Sequence, residues 1–283
     1  MTPLAGRLDR CAINTATLGF QAPLEQSIEA VARAGFGAIA PWRAEVDETA
    51  PTATARRIRD AGLDVSGYCR SAYLPAATAE ARAAAIADNR RAVEVAATLG
   101  AACFVLVVGG LPAGSRDLPA ARAQVADGVA ALLEHARACG VRLGLEPLHP
   151  VYAADRSCLN TLAHALDMAE ALDPGPDPSL GVVIDAYHLW WDPDLPAQIA
   201  RAGRAGRILG YHVSDWLTVT RDPLNDRGMM GDGVIDLPAL RSLVEAAGYT
   251  GPVEVEIFSD RDWWRRPARE TLATCASRLQ TVC

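Results

Sequence analysis

Three observations predict that residues 1–283 form a single (β/α)8 TIM barrel. Eight short, strand-like apolar runs recur along the chain, alanine-rich segments with helical spacing separate them, and roughly 250 residues is the usual length of such a barrel. The strand-like runs are 10–16, 37–42, 64–70, 102–110, 141–148, 181–188, 207–215 and 252–259. Between them, segment 118–136 aligns Leu118, Ala121, Val125, Val129, Leu132, Leu133 and Ala136 on one helical face, and a later one aligns Leu237, Leu240, Leu243, Val244 and Ala247. Glycines at 100, 140 and 248 follow helical segments just before a strand, the usual position for stopping a helix. The competing arrangement, a doubly wound open sheet, lacks its usual marks: no G-x-G-x-x-G follows the first strand and no G-x-x-x-x-G-K-S/T occurs. No linker-like run divides the chain, and 173-DPGPDPS-179 reads as a loop. The longest insertion, 216–236, follows the seventh strand and is expected to lie over the active site as a lid or substrate clamp.

Composition narrows the function. The formal charge of −7 disfavours nucleic acid as a partner. Seven cysteines form no C-x-x-C pair, and several lie in apolar runs, which suggests reduced thiols in a cytoplasmic protein. The first twenty residues carry no apolar core of signal-peptide type, and nowhere do 18 apolar residues run together, so a soluble protein without membrane contact is expected. The oligomeric state stays open, a homo-oligomer included.

Strand parity locates the polar residues, because alternate side chains face the helices and the barrel interior. Val141, Leu143 and Leu145 share the apolar, helix-facing side of the fifth strand, which turns Glu146 inward. The same count sends Val182 and Ile184 outward and Asp185 inward, and sends Leu209, Tyr211 and Val213 outward and Gly210 and His212 inward. In the eighth strand Val253, Val255 and Ile257 go out, while Glu254 and Glu256 go in. Four successive strands therefore place Glu146, Asp185, His212 and Glu256 at the inner C-terminal end, where barrel enzymes hold their active sites. Carboxylates crowded there repel one another and are costly to bury unless a cation neutralises them. One imidazole with three carboxylates suits a single divalent ion, Mn²⁺ foremost, with Mg²⁺, Co²⁺ or Zn²⁺ as alternatives. Glu254 points inward with no partner evident from sequence.

Other residues are read beside their plainer roles. His188, one turn beyond Asp185, is a candidate for orienting that ligand or contacting a substrate oxygen; His149, just after Glu146, is a further substrate-binding candidate. His135 and His164 lie in helical segments and read as structural or exposed. Arg227, in the long loop, is a candidate clamp on a substrate hydroxyl or oxyanion. The tryptophans at 42, 190, 191, 216, 263 and 264 mostly follow strand ends and are candidate walls for a carbohydrate ring, with packing as their commoner use.

The segments 145-LEPLHP-150, 183-VIDAYH-188, 211-YHVSDW-216, 227-RGMMGDGVID-236 and 253-VEVEIF-258 resemble the xylose-isomerase-like barrel superfamily, often labelled sugar phosphate isomerase/epimerase. The resemblance implies one divalent metal on Glu146, Asp185, His212 and Glu256, substrate contacts from His188 and Arg227, and acid–base duty for Glu146 and Glu256. It also shows departures. Segment 146-EPLHPVY-152 lacks the E-x-x-N-R-x-E pattern of ketose 3-epimerases, and strands two to four lack the histidines that the related endonuclease needs for a three-metal cluster. The resulting expectation is a metal-dependent isomerase or epimerase of a keto-sugar or inosose acting through an enediolate. The alternatives are a lyase or dehydratase eliminating a β-substituent from a keto-sugar, 3-oxo-glycoside or inosose, and a non-catalytic sugar-binding protein. No glycine loop of phosphate-binding type is evident, so phosphorylation of the substrate is not assumed.

Overall fold

In the computed structural model, which describes residues 4–283, eight parallel strands hydrogen-bond in the order β3-β2-β1-β8-β7-β6-β5-β4. Residues 1–3 of the expected span lie outside the described ones. The strands are β1 (Cys11–Asn14), β2 (Ala38–Ala40), β3 (Asp64–Val65), β4 (Phe104–Leu106), β5 (Leu143–Leu145), β6 (Leu180–Asp185), β7 (Ile208–Val213) and β8 (Val253–Val255). The edges β3 and β4 meet just past β3: the Tyr68 N–H donates to the Cys103 carbonyl and the Val105 N–H donates to the Tyr68 carbonyl, both at 3.0 Å. Pairing across this last seam closes the sheet on itself, giving the expected (β/α)8 barrel.

The helices are α1 (Leu24–Arg33), α2 (Pro51–Asp60), α3 (Ala79–Leu99), α4 (Leu118–Ala138), α5 (Leu162–Leu172), α6 (Ala186–Leu189), α7 (Leu195–Arg204), α8 (Leu237–Ala246) and α9 (Ala268–Val282). In α4 the residues spaced three and four apart, Ala121, Val125, Val129, Leu132, Leu133 and Ala136, are buried, as is Gly128. It starts where Asp117 Oδ1 accepts the Ala120 N–H at 2.9 Å. It stops before Gly140, whose φ of 69° is a conformation that costs most other residues energy. α3 is framed in the same way by the Thr78 hydroxyl and by Gly100, at φ 70°. No helix of the described residues is long and apolar enough to cross a membrane.

Strand parity sorts most of the core correctly. The helix-facing layer includes Leu143, Leu145, Val182, Ile184, Tyr211, Val213, Val253, Val255 and Ile257. Burying each such side chain stabilises the fold by about 1.5–3 kcal/mol. A second cluster, Cys69, Cys103, Val105, Val183 and Leu209, belongs to the barrel interior. Leu209 corrects the expected outward placement. The β6–β7 register jumps between Val182 and Val183, so Leu209 falls in a bulge and joins the inner cluster. The sixth run is also shorter than expected. β6 ends at Asp185, whose Oδ1 accepts the Tyr187 N–H at 2.8 Å, and residues 186–189 wind into α6. All seven cysteines are free thiols, and all but the half-buried Cys139 are buried.

Candidate metal centre and active site

Each of the strands β5 to β8 delivers one chemical group to the same place. Glu146 follows β5, Asp185 closes β6, His212 lies near the end of β7 and Glu256 follows β8. One donor atom from each lies within 4.8 Å of the others, and all four residues are buried. His212 Nδ1 stands 3.1 Å from Glu146 Oε1 and 3.9 Å from Glu256 Oε2. Neither Glu146 Oε1 nor His212 Nδ1 makes a properly directed hydrogen bond, although both are cut off from water. Two such orphaned atoms converging on one point, with two further carboxylates beside them, fit a divalent cation, and this cluster can hold one.

Glu254, on the inward side of β8, is the partner that parity placed but could not pair. Its Oε1 lies 3.5 Å from His212 Nε2 and accepts from Asn14 Nδ2 at 3.0 Å, and its Oε2 accepts from the Ser66 hydroxyl at 2.7 Å. Asn14 Nδ2 also donates to Glu256 Oε1 at 3.0 Å. A carboxylate behind a metal-binding imidazole fixes which ring nitrogen carries the proton and where the other one points. The residues that complete this arrangement come from β1 and from the segment after β3, more than 180 positions away in sequence.

The charges do not balance among the side chains. Four buried carboxylates, Glu146, Asp185, Glu254 and Glu256, face one guanidinium, that of Arg227, and one imidazole, that of His212. Even with His212 protonated, the cluster carries an excess of negative charge. Burial raises the Glu256 carboxyl to about 7, with the charge of Glu146 as the next cause, and raises Asp185 to about 6. Burial opposes charge on His212, but Glu254, Glu146 and Glu256 outweigh it and lift its pKa well above the ordinary range. In the metal-free protein the cluster therefore compensates with protons, for which a divalent ion is the natural competitor.

Arg227 crosses the cluster from the long loop. Its Nη1 donates to Asp185 Oδ2 at 3.1 Å and to Glu256 Oε2 at 3.2 Å, and the guanidinium stacks between the rings of Tyr187 and Phe258 at 4.5 and 5.0 Å. Its Nη2 lies 3.2 Å from His188 Nε2. Arginine only donates, so His188 Nε2 accepts, and the neutral ring keeps its proton on Nδ1, which has no protein partner. Burial and the neighbouring Arg227 hold His188 neutral by pushing its pKa well below the ordinary value.

The loop itself is anchored by a residue that sequence reading passed over. Asp215 accepts the backbone N–H groups of Trp216 and Ile235 on Oδ1 and those of Gly231 and Gly233 on Oδ2. Asp215 and Gly228 exchange backbone hydrogen bonds, and Arg221 pairs with Asp226. This fastening sets Leu224, Asn225 and Arg227 into the wall of a cavity of about 170 Å³ at the barrel mouth. Glu146 and Glu256 open onto that cavity, as do His188, Tyr152, Arg70, Arg156, Trp42 and Trp264.

The remaining candidates are distributed less simply. His149 does not line the cavity: its ring stacks on Trp216 at 4.7 Å and meets Trp191 edge-on at 5.8 Å, and its Nδ1 accepts the Val151 N–H. The chain turns into a 3₁₀ segment at Pro150–Tyr152 directly after it, so closeness to Glu146 in sequence is not closeness in the site. Of the tryptophans, Trp42 and Trp264 line the cavity with Phe258, Trp190 and Trp216 pack together beside it, and Trp263 belongs to the helix-facing core.

Comparison with known proteins agrees with this architecture. A 3-dehydroshikimate dehydratase of Pseudomonas aeruginosa is 27% identical over 258 residues, which are 87% of this chain and 38% of that protein. An inosose isomerase of Halalkalibacterium halodurans is 29% identical over 150 residues, which are 50% of this chain and 48% of that one. The chain thus spans less than half the length of these curated relatives, both of which are enzymes. The crystal structure of a protein from Sinorhizobium meliloti 1021 superposes with a TM-score of 0.94 at 52% identity, covering 98% of this chain and 99% of that one. Residues 28–278 match the family described as the xylose isomerase-like TIM barrel, and the chain belongs to that family.

Proposed function

We propose that the protein is a divalent-metal-dependent isomerase or epimerase of a small polyol-like carbonyl compound, a keto-sugar or an inosose. The observation that carries this reading is the convergence of Glu146, Asp185, His212 and Glu256 within 4.8 Å, with Glu146 and Glu256 alone among them opening onto the mouth cavity. Those four residues would hold the ion, most suitably Mn²⁺ given three oxygen donors and one nitrogen. When bound, such an ion supplies Lewis-acid polarisation of a carbonyl and its neighbouring oxygen.

The chain's own groups do the rest. Glu146 and Glu256 approach the cavity from different strands, so one takes a carbon-bound proton and the other returns one. Asn14 holds Glu256 Oε1 at 3.0 Å, which limits the orientations open to that carboxylate. His188 offers its unpaired Nδ1–H to a substrate oxygen, and Arg227 steadies both the imidazole and the carboxylates. Trp42, Phe258 and Trp264 form an apolar wall against which a ring's C–H face packs.

A second reading is favoured by the relative that covers most of this chain, a dehydratase. The same proton abstraction followed by loss of a β-substituent makes the enzyme a lyase. NMR of a panel of keto-sugars and inososes in heavy water distinguishes the readings: an isomerase gives rearranged, deuterated substrate, and a lyase releases water or an aglycone. Exchange lost in both Glu146→Gln and Glu256→Gln supports the acid–base assignment; full exchange in both overturns it.

A further inference from the structure

Some arginines on this protein are held by carboxylates and others, such as Arg122, Arg142 and Arg207, by backbone carbonyls. Arg43 holds Glu48 and Asp88, Arg201 holds Asp167 and Glu170, and Arg266 holds Asp262 and Glu270. Besides Arg227, two arginines stand on the wall of the mouth cavity, where a ligand could reach them. Among the described residues Arg70 makes no ion pair: its guanidinium reaches only the Ser71 carbonyl, at 3.2 Å, and the face of Tyr73, at 4.6 Å. Arg156 has only its sequence neighbour Asp155, at 3.7 Å and largely in solvent.

The two belong to the same side of the mouth. The Gly109 N–H donates to the Arg156 carbonyl at 2.9 Å, and Gly109 packs so closely on Tyr73 that an added Cβ would lie 2.7 Å from the Tyr73 Cβ. Tyr73 in turn carries Arg70. Beneath Arg156, the Tyr152 hydroxyl is buried, without a hydrogen-bond partner, on a residue that lines the cavity. One cation without a counter-ion, a second held only loosely by an exposed neighbour, and a buried hydroxyl without a partner make a surface suited to an anion. A neutral polyol leaves those charges unmatched, and a chain of net charge −7 gains affinity for an anion only through such local cations.

We infer that the substrate carries an anionic group, a carboxylate or a phosphate, which Arg70, Arg156 and the Tyr152 hydroxyl bind on the cavity wall. This rests on the mouth cavity being the substrate site, and it narrows the substrate from polyols in general to acidic ones. Arg70 and Arg156 are then specificity-determining residues, whereas Arg227 is already committed to Asp185, Glu256 and His188.

The test is isothermal titration of the whole protein, metal-free and Mn²⁺-loaded, with D-gluconate, D-glucose 6-phosphate and uncharged D-glucitol. At least one anion is expected to bind about tenfold or more tightly than glucitol. The double variant Arg70→Gln/Arg156→Gln should lose that preference, and Arg70→Lys/Arg156→Lys should keep part of it. The better anion identifies the group as carboxylate or phosphate. Equal affinity for all three probes, no binding of either anion, or a preference that survives the Gln double variant overturns the inference. Absence of Mn²⁺ binding would instead defeat the metal-dependent reading, since anion preference is read on the metal-free protein as well.

Discussion

The two halves of the barrel divide the work. Strands β5 to β8 supply every member of the cluster that could hold a metal ion, and β6 and β7, which carry Asp185 and His212, are the longest at six residues each. Strands β1 to β4 run to four residues or fewer and supply none of that cluster, and the seam between β3 and β4 is made by backbone bonds beyond the end of β3. Yet this half holds Glu254 in place through Asn14 and Ser66 and contributes Trp42, Arg70 and Tyr73 to the cavity wall. The C-terminal strand ends fix the groups that must converge, and the loop segments beyond them shape what the cavity admits.

The largest effect should come from the half that carries the carboxylate and histidine cluster. Glu256→Gln is expected to lower turnover by about 10²–10⁴-fold, as loss of a proton-transferring group does. Steady-state rates on the substrate found by the heavy-water screen check this, and a Glu256→Gln enzyme near wild-type rate would mean that β5–β8 is not the catalytic half. Next in size, Glu254→Gln should weaken Mn²⁺ binding by about 10–100-fold through His212, without removing a ligand. Titration calorimetry reads it, and unchanged affinity would reduce Glu254 to a packing residue.

A third expectation concerns pH. Folding raises the proton affinity of Glu256, to about 7, of Asp185, to about 6, and of His212. Groups whose folded pKa is raised stabilise the protein at low pH and lose that contribution as pH climbs through the folded value. The metal-free protein should therefore lose thermal stability from about pH 4 to pH 7, with His212 extending the loss to higher pH, whereas Mn²⁺, which needs the deprotonated ligands, should raise the melting temperature more at the upper end. Melts with and without Mn²⁺ show it, and a metal effect independent of pH would contradict the proton competition. The smallest effect belongs to the supporting half. Ser66→Ala strips one donor from a buried carboxylate oxygen and should cost about 1–3 kcal/mol by chemical denaturation, with a lesser loss of turnover.

The contrast also explains what the sequence made legible. Parity works where strands are regular, so Glu146, Asp185, His212 and Glu256 could be read one by one. It failed at Leu209, where a bulge inserts one residue into the count. The partners of Glu254 lie on β1 and just past β3, strands brought within reach of β8 by barrel closure, which leaves no mark in the local pattern. Arg70 gave no signal either, because an arginine after a two-residue strand looks like any surface cation until Tyr73 and Gly109 place it on the cavity wall. His149 shows the converse case, a chemically suitable residue beside Glu146 in sequence whose ring, with the backbone turning at Pro150, stacks on Trp216.

The most direct measurement is the stoichiometry of Mn²⁺ binding by equilibrium dialysis with elemental analysis, on wild-type protein and on Asp185→Asn. One ion per chain in the wild type and none retained by the variant is the expected result. No bound ion in the wild type, or an ion held equally well without the Asp185 carboxylate, would contradict a metal centre at the barrel mouth.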